Sequence, residues 1–289
     1  MESRRALATA LALTASYTVV EVVGGLVAGS LALLADAVHM LSDNVALGAA
    51  LVAAWLAAKP ATSERTYGYK RAEVLAALAN GVMLVALAIW IFVEAAMRLR
   101  DPGDVLGGWM LAIALVGLAV NVAAGLILSR ARSHSLNVEA AFRHVFADLL
   151  GSFGVAIAAV VILATGWVEA DPLVSILIGL LILASAWSIL RDSTEILLES
   201  TPRGIDAEAL GRRLAAAPGV VEVHDLHVWT ITSGFPALSA HVLGRPGEDC
   251  HGRRRELEGL LRDEFGIEHT TLQVDHASEG GLVELERFG

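Results

Sequence analysis

The sequence predicts an α-helical membrane protein: six transmembrane helices with a C-terminal cytoplasmic α/β domain. Two observations carry this. The 289 residues are 55% hydrophobic and only 18% charged, against about 45–50% and about 25% in soluble domains. Five charge-free runs also reach or approach the roughly 20 apolar residues that span a bilayer. The charges missing from those runs return after about Leu198. This composition excludes disorder and argues against a wholly water-soluble enzyme.

The first helix takes residues 6–28. Its start, MESRR before apolar sequence, has the look of a signal peptide. The apolar stretch continues to Ala28 with no obvious cleavage site, so a retained first helix is expected. Gly29-Ser30 allows a tight turn into a second helix, 32–58. The third and fourth, 71–98 and 105–130, are separated by Asp101-Pro102-Gly103, a chain-breaking run. The fifth and sixth, 140–166 and 172–195, meet near Asp171-Pro172. Arginine and lysine set the orientation. Arg4, Arg5, Lys59, Arg65, Lys70, Arg71, Arg130, Arg132, Arg191 and Arg203 fall on one side, and only Arg98 and Arg100 oppose them. Both termini are therefore expected in the cytoplasm.

The chain divides at about residue 198, with 1–198 in the membrane and 199–289 outside it. The second part holds nine basic against sixteen acidic residues. Asp206–Ala217 has helical spacing, with Asp206 placed as its N-cap. Val220–Thr230 and Ala237–Leu243 read as strands about a turn at Ser233-Gly234-Phe235-Pro236. Glu248–Phe265 is helical and Thr270–Asp275 is a third strand, so the order α-β-β-α-β suits a small open-faced sandwich. The last dozen residues have no clear pattern. Cys250 stands alone and forbids an internal disulfide. A net charge of −10 makes nucleic acid a poor partner.

Ionisable groups inside a bilayer are costly, and each implies a partner, a wet cavity or a substrate. His39 and Asp43 lie four apart in LLADAVHMLSDN, and His144 and Asp148 lie four apart in FRHVFADLLG. Residues at i and i+4 share a helix face, about 6 Å apart along the axis. If the two faces meet, two imidazoles and two carboxylates converge, a donor set suited to tetrahedral Zn²⁺. No cysteine lies in the membrane, so Cu⁺ is disfavoured, while Co²⁺, Cd²⁺, Fe²⁺ and Ni²⁺ stay open beside Zn²⁺. Asp36, three residues before His39, is a candidate for supporting the ligands or lining an exit path. Glu21, Asn80, Glu94 and Asn121 read as interhelical hydrogen-bonding groups.

Three other classes compete. An intramembrane metalloprotease would need HExxH, which is absent. A serine intramembrane protease could use Ser152 near His144, but no Gly-x-Ser-x-Gly surrounds it. A non-transporting metal receptor would use the same C-terminal domain.

These segments together resemble the cation diffusion facilitator family, in its zinc-transporting branch. The resemblance rests on SLALLADAVHMLSDN, RTYGYKRAEVLAALAN, IFVEAAMRL, HVFADLLGS and HDLHVW, and it covers about residues 6–276 in order. It implies a homodimer in a bacterial inner membrane with a metallochaperone-like (ferredoxin-like) cytoplasmic domain, exporting divalent metal in exchange for protons. His39, Asp43, His144 and Asp148 would be the transport-site ligands, and His39 at the first position favours zinc. The loop KPATSERTYGYKR lacks the histidines many relatives carry there, which argues against an accessory site.

In the cytoplasmic domain the resemblance implies a regulatory metal site at His224, His241 and Asp275. Gln273 stands where some relatives have another ligand. His224 and His227 are three residues apart and face opposite ways on a regular strand. On that reading only one of them joins His241, and the hairpin register decides which.

Overall fold

With no water in hydrocarbon to satisfy main-chain N–H and C=O groups, long apolar runs can cross only as helices that bond internally. The computed structural model describes residues 2–131 and 136–277, without the side chains of 2–8, 130, 131, 136–141, 143, 144 and 147. It holds six long helices: α1 (Glu2–Ala28), α2 (Leu31–Ala57), α3 (Ala72–Arg100), α4 (Gly107–Ala131), α5 (Leu136–Thr165) and α6 (Ala170–Leu197). All six have a stretch long and apolar enough to cross a membrane. After them come α7 (Ala207–Ala215), β1 (Val220–Thr232), β2 (Phe235–Gly244), α8 (Cys250–Phe265) and β3 (His269–His276). The last dozen residues lie outside the described part.

The chain divides into two units, Met1–Leu51 with Ala76–Leu190, and Val52–Leu75 with Arg191–Gly289. In the first, the core interleaves small and branched side chains from all six helices: Tyr17, Leu33, Leu84, Ile91, Met110, Val155 and Ile182 among Ala28, Ala32, Ala88, Ala159 and Ala186. Small residues let helix backbones approach closely where lipid removes the hydrophobic drive for association. At Gly117 on α4 that closeness is required, because an added Cβ would lie 2.3 Å from the Tyr17 hydroxyl of α1. The same hydroxyl sits 3.0 Å from the Ile113 carbonyl oxygen and 3.2 Å from Glu21 Oε1.

One carboxylate ties the starts of two helices. Asp171, fully buried in the first turn of α6, accepts from the N–H groups of Leu31 and Ala32 at 2.7 and 3.1 Å. Those are unpaired donors at the N-terminus of α2, where the helix dipole favours negative charge. The Ser30 hydroxyl donates to Asp171 Oδ1 at 2.5 Å and its oxygen accepts from Leu33 N–H at 3.2 Å. Arg98 joins them, donating to Gly29 O at 2.5 Å and to Glu94 Oε1 at 3.0 Å, with Asp171 Oδ2 3.8 Å away. Arg98, set against the expected orientation in the sequence, is held by these local acceptors. Pro172 fits the first turn of α6, where its missing N–H costs no helical bond.

The second unit has a three-stranded sheet in the order β1-β2-β3, with β1 and β2 antiparallel and β2 and β3 parallel. Helix α8 makes the crossover a parallel pair demands. Leu210 and Leu214 of α7 and Leu257 and Leu261 of α8 bury one sheet face against Val228, Leu238, Ala240, Val242 and Leu272. The other face stays open. Asp206 caps α7 as its sequence position suggests, accepting from Glu208 and Ala209 N–H at 3.0 Å each. The hairpin turn is tighter than expected: Thr232 pairs with Phe235, so Phe235 and Pro236 already belong to β2. The connection between α2 and α3 belongs to this unit, with Arg71 bound to Glu199 at 2.8 Å and Glu73 accepting from Thr232 at 2.9 Å.

Candidate metal centres

In the membrane, the two His–Asp steps fall on α2 and α5. His39 Nε2 and Asp43 Oδ2 are 3.7 Å apart, as the i, i+4 spacing requires. Asp148 is buried on α5. His144 lies one turn before it, and the His144 side chain is outside the described part. Among the described residues, no three His, Cys, Asp or Glu side chains come close enough to hold a metal.

What joins the two helices is a level one turn away. Ser152 of α5 donates to Asp36 Oδ2 of α2 at 3.2 Å, and Asn121 of α4 donates to Ser152 Oγ at 3.1 Å. Gly151 allows the approach, since a Cβ there would stand 3.3 Å from Asp36 Oδ1. Consecutive spans alternate in direction, so α2 and α5 run oppositely. One turn from Asp36 toward the end of α2 reaches His39, and one turn from Ser152 toward the start of α5 reaches Asp148. A further turn on each reaches Asp43 and His144. The face of α2 bearing one step and the face of α5 bearing the other therefore meet at Asp36 and Ser152.

The polar residues read as interhelical groups divide in two. Asn121 bonds across helices as expected, and Asn80 accepts from Ser42 of α2 at 3.4 Å. Glu21 takes a hydrogen bond from Tyr17 within α1 and also meets Asp36 of α2, as expected, whereas Glu94 pairs with Arg98 of its own helix. Ser152 is committed to Asn121 and Asp36, a poor arrangement for a nucleophile.

On the open face of the sheet, His224 pairs directly with His241, their ring centroids 5.4 Å apart. The expectation that His227 faces the other way fails. His227 pairs with Ser239, so three steps on β1 match two on β2. The extra residue is a β-bulge at Asp225, whose φ of 51° lies in the left-handed region. Because residues 239 and 241 share a face, the bulge brings His224 and His227 to the same side.

Asp225 itself turns toward the rings. His227 Nε2 is 2.9 Å from its Oδ1 and His241 Nε2 is 3.8 Å from its Oδ2. The hydrogen bond with His227 holds the Asp225 carboxyl below the usual carboxylate range, and the charges of His227, His241 and His224 add to it. Glu222 lies 3.4 Å from His224 Nδ1. Asp275 stands two residues beyond Gln273, the residue paired with His241, and takes a hydrogen bond from Gln273 at 2.7 Å. Sequence reasoning named Asp275 and missed Asp225. The available signal was HDLH itself, an acidic residue tolerant of positive φ between two histidines.

Comparison with known proteins adds to this geometry. The family model described as the cation efflux transmembrane domain matches residues 7–198, and that of the cation efflux protein cytoplasmic domain matches residues 202–277. The metal cation efflux system protein CzcD of Cupriavidus metallidurans is 42% identical over 276 residues, 95% of this chain and 87% of that protein. The zinc transporter ZitB of Escherichia coli is 44% identical over 274 residues, 94% and 87% of the two chains. A cadmium, cobalt and zinc/H(+)-K(+) antiporter of Bacillus velezensis is 38% identical over 281 residues, 96% and 90%.

Proposed function

The chain belongs to the cation efflux family, the cation diffusion facilitators, and on that premise we propose that it exports Zn²⁺ from the cytoplasm in exchange for protons. The family is one of multi-pass membrane carriers of metal cations, and this member is not an enzyme. The reading places it in a bacterial inner membrane as a homodimer, with both termini in the cytoplasm.

One observation carries the proposal: two His–Asp steps on α2 and α5, on faces that meet at the Asp36–Ser152 contact. His39, Asp43, His144 and Asp148 would bind the cargo. Two carboxylates offset its +2 charge and lower the cost of holding it at membrane depth. Zinc needs deprotonated ligands, so binding expels protons and protons arriving from the far side help release it. Histidine suits this exchange because its ordinary pKa of about 6.5 lies near cytoplasmic pH. The helix pair would rock against its neighbours so that the cluster faces each side in turn.

Likeness to the cadmium, cobalt and zinc antiporter supports a wider cargo range, and an imidazole–carboxylate set accepts those ions as well. On the sheet, His224, His241 and Asp275, with Asp225 and His227 beside them, would sense cytoplasmic metal and draw two protomers together. Metal there and metal in the membrane would then affect one another reciprocally.

The test is zinc uptake into inverted vesicles under an imposed proton gradient. His39→Ala and Asp148→Ala are expected to abolish uptake, and wild-type flux from either sinks the ligand assignment. Competition by cadmium and cobalt measures the breadth of cargo. His241→Ala should alter how flux responds to a zinc titration. An unchanged response leaves the domain as a dimerisation handle only.

A further inference from the structure

The one cysteine of the chain does not stand alone in space. Cys250 is the first residue of α8, and its Sγ lies 3.3 Å from Nε2 of His276, the last residue of β3. The same Nε2 lies 3.0 Å from the main-chain oxygen of Glu248. A carbonyl oxygen only accepts, so His276 carries its proton on Nε2 and points it between the oxygen and the sulfur. Three donor atoms of different kinds, a thiol sulfur, an imidazole nitrogen and a carbonyl oxygen, thus surround one proton.

We propose that this proton marks a second metal site of the cytoplasmic domain, where Cys250 Sγ, His276 Nε2 and Glu248 O hold a divalent cation of the zinc–cadmium class. The spacing supports it. Zinc bonds of about 2.3 Å to sulfur and about 2.0 Å to nitrogen, at a tetrahedral angle, set those atoms about 3.5 Å apart. The observed 3.3 Å needs only a small opening to admit the ion. Thiolate selects softer cations than imidazole and carboxylate do, so this site would favour cadmium more than the His–Asp clusters would. Cys250 is half-buried and His276 is exposed, so the pair can be reached from solvent.

Binding one cation would release the thiol proton to solvent and move the imidazole proton from Nε2 to Nδ1. None of the three donors belongs to the cluster around His224 and His241, and the site does not depend on the transport reading.

A single cysteine makes the test specific. The probe is Co²⁺ added to the purified full-length protein in detergent, read by the sulfur-to-cobalt charge-transfer band in the near ultraviolet. The expected result is a band that saturates at one cobalt per protomer and is absent from Cys250→Ser. His276→Ala should weaken binding by about tenfold or more. Cadmium should displace the cobalt and abolish the band. No band in the wild type overturns the proposal. A band that titrates identically in His276→Ala also overturns it, since an ordinary exposed thiol would then suffice. Loss of the band in His251→Ala with retention in His276→Ala would overturn the assignment to His276.

Discussion

Ser152 donates its hydroxyl to Asp36 across 3.2 Å, and both residues are almost wholly buried. The contact joins α5 to α2 one turn from each His–Asp step, so it sets how the two faces meet. A buried acceptor that loses its donor costs about 1–3 kcal/mol.

Ser152→Ala should therefore lower the thermal unfolding midpoint of the detergent-solubilised protein and reduce zinc uptake. Ser152→Thr, which keeps the hydroxyl, should recover most of both. Near-ultraviolet circular dichroism during heating and vesicle flux are the two readouts.

Asp171 receives two main-chain N–H groups, one hydroxyl and the charge of Arg98. Asp171→Ala strands the two N–H groups and the hydroxyl and leaves Arg98 to Gly29 and Glu94, and breaking a buried ionic group of this kind costs about 3–5 kcal/mol. Ser30→Ala removes one donor and should cost less. The double variant Asp171→Ala with Arg98→Ala should fall short of the sum of the two singles, because they share one network. Thermal midpoints of the four proteins decide this.

His39→Asp changes one borderline ligand to a hard one. Zinc transport relative to manganese should fall by about tenfold or more, since carboxylate oxygens favour harder cations. Uptake of the two metals measured side by side in vesicles checks the ratio.

Asp225 holds a left-handed backbone conformation as well as the histidines. Asp225→Asn keeps the conformation and loses the charge, so it should fold normally and bind less metal on the sheet. Asp225→Val should also destabilise the domain, by about 1–2 kcal/mol, because a β-branched residue resists positive φ. Its pH dependence has a definite sign. The carboxyl is held low in the fold, chiefly by the hydrogen bond with His227, so its contacts stabilise at neutral pH. They are lost as pH falls through that lowered value. The ring signals of His227 should register this acid step in the wild type and not in Asp225→Asn.

The six spans were legible because a bilayer imposes length and apolarity, and because a membrane makes four charged or imidazole groups conspicuous. Helix ends moved by only a few residues from their expected places. The parity argument about His224 and His227 failed for a local reason: one bulge residue changes the side on which everything after it falls. No hydrophobic pattern signals such a bulge, and only the tolerance of Asp for positive φ points to it. Asp171 was illegible as a cap because its partners are about 140 positions away in the chain. What holds Arg98 was hidden for the same reason. Its acceptors at Gly29 and Asp171 become neighbours only after the helices pack.

The fastening of Leu31 to Asp171 gives α2 a fulcrum. At about 1.5 Å of rise per residue, His39 lies about 12 Å along the helix from that point and Asp43 about 18 Å. A tilt of roughly 10° about the fulcrum would carry His39 sideways by about 2 Å and Asp43 by about 3 Å. The cargo would then lose its grip unevenly, at the aspartate before the histidine. A lever anchored at one end releases its load from the other.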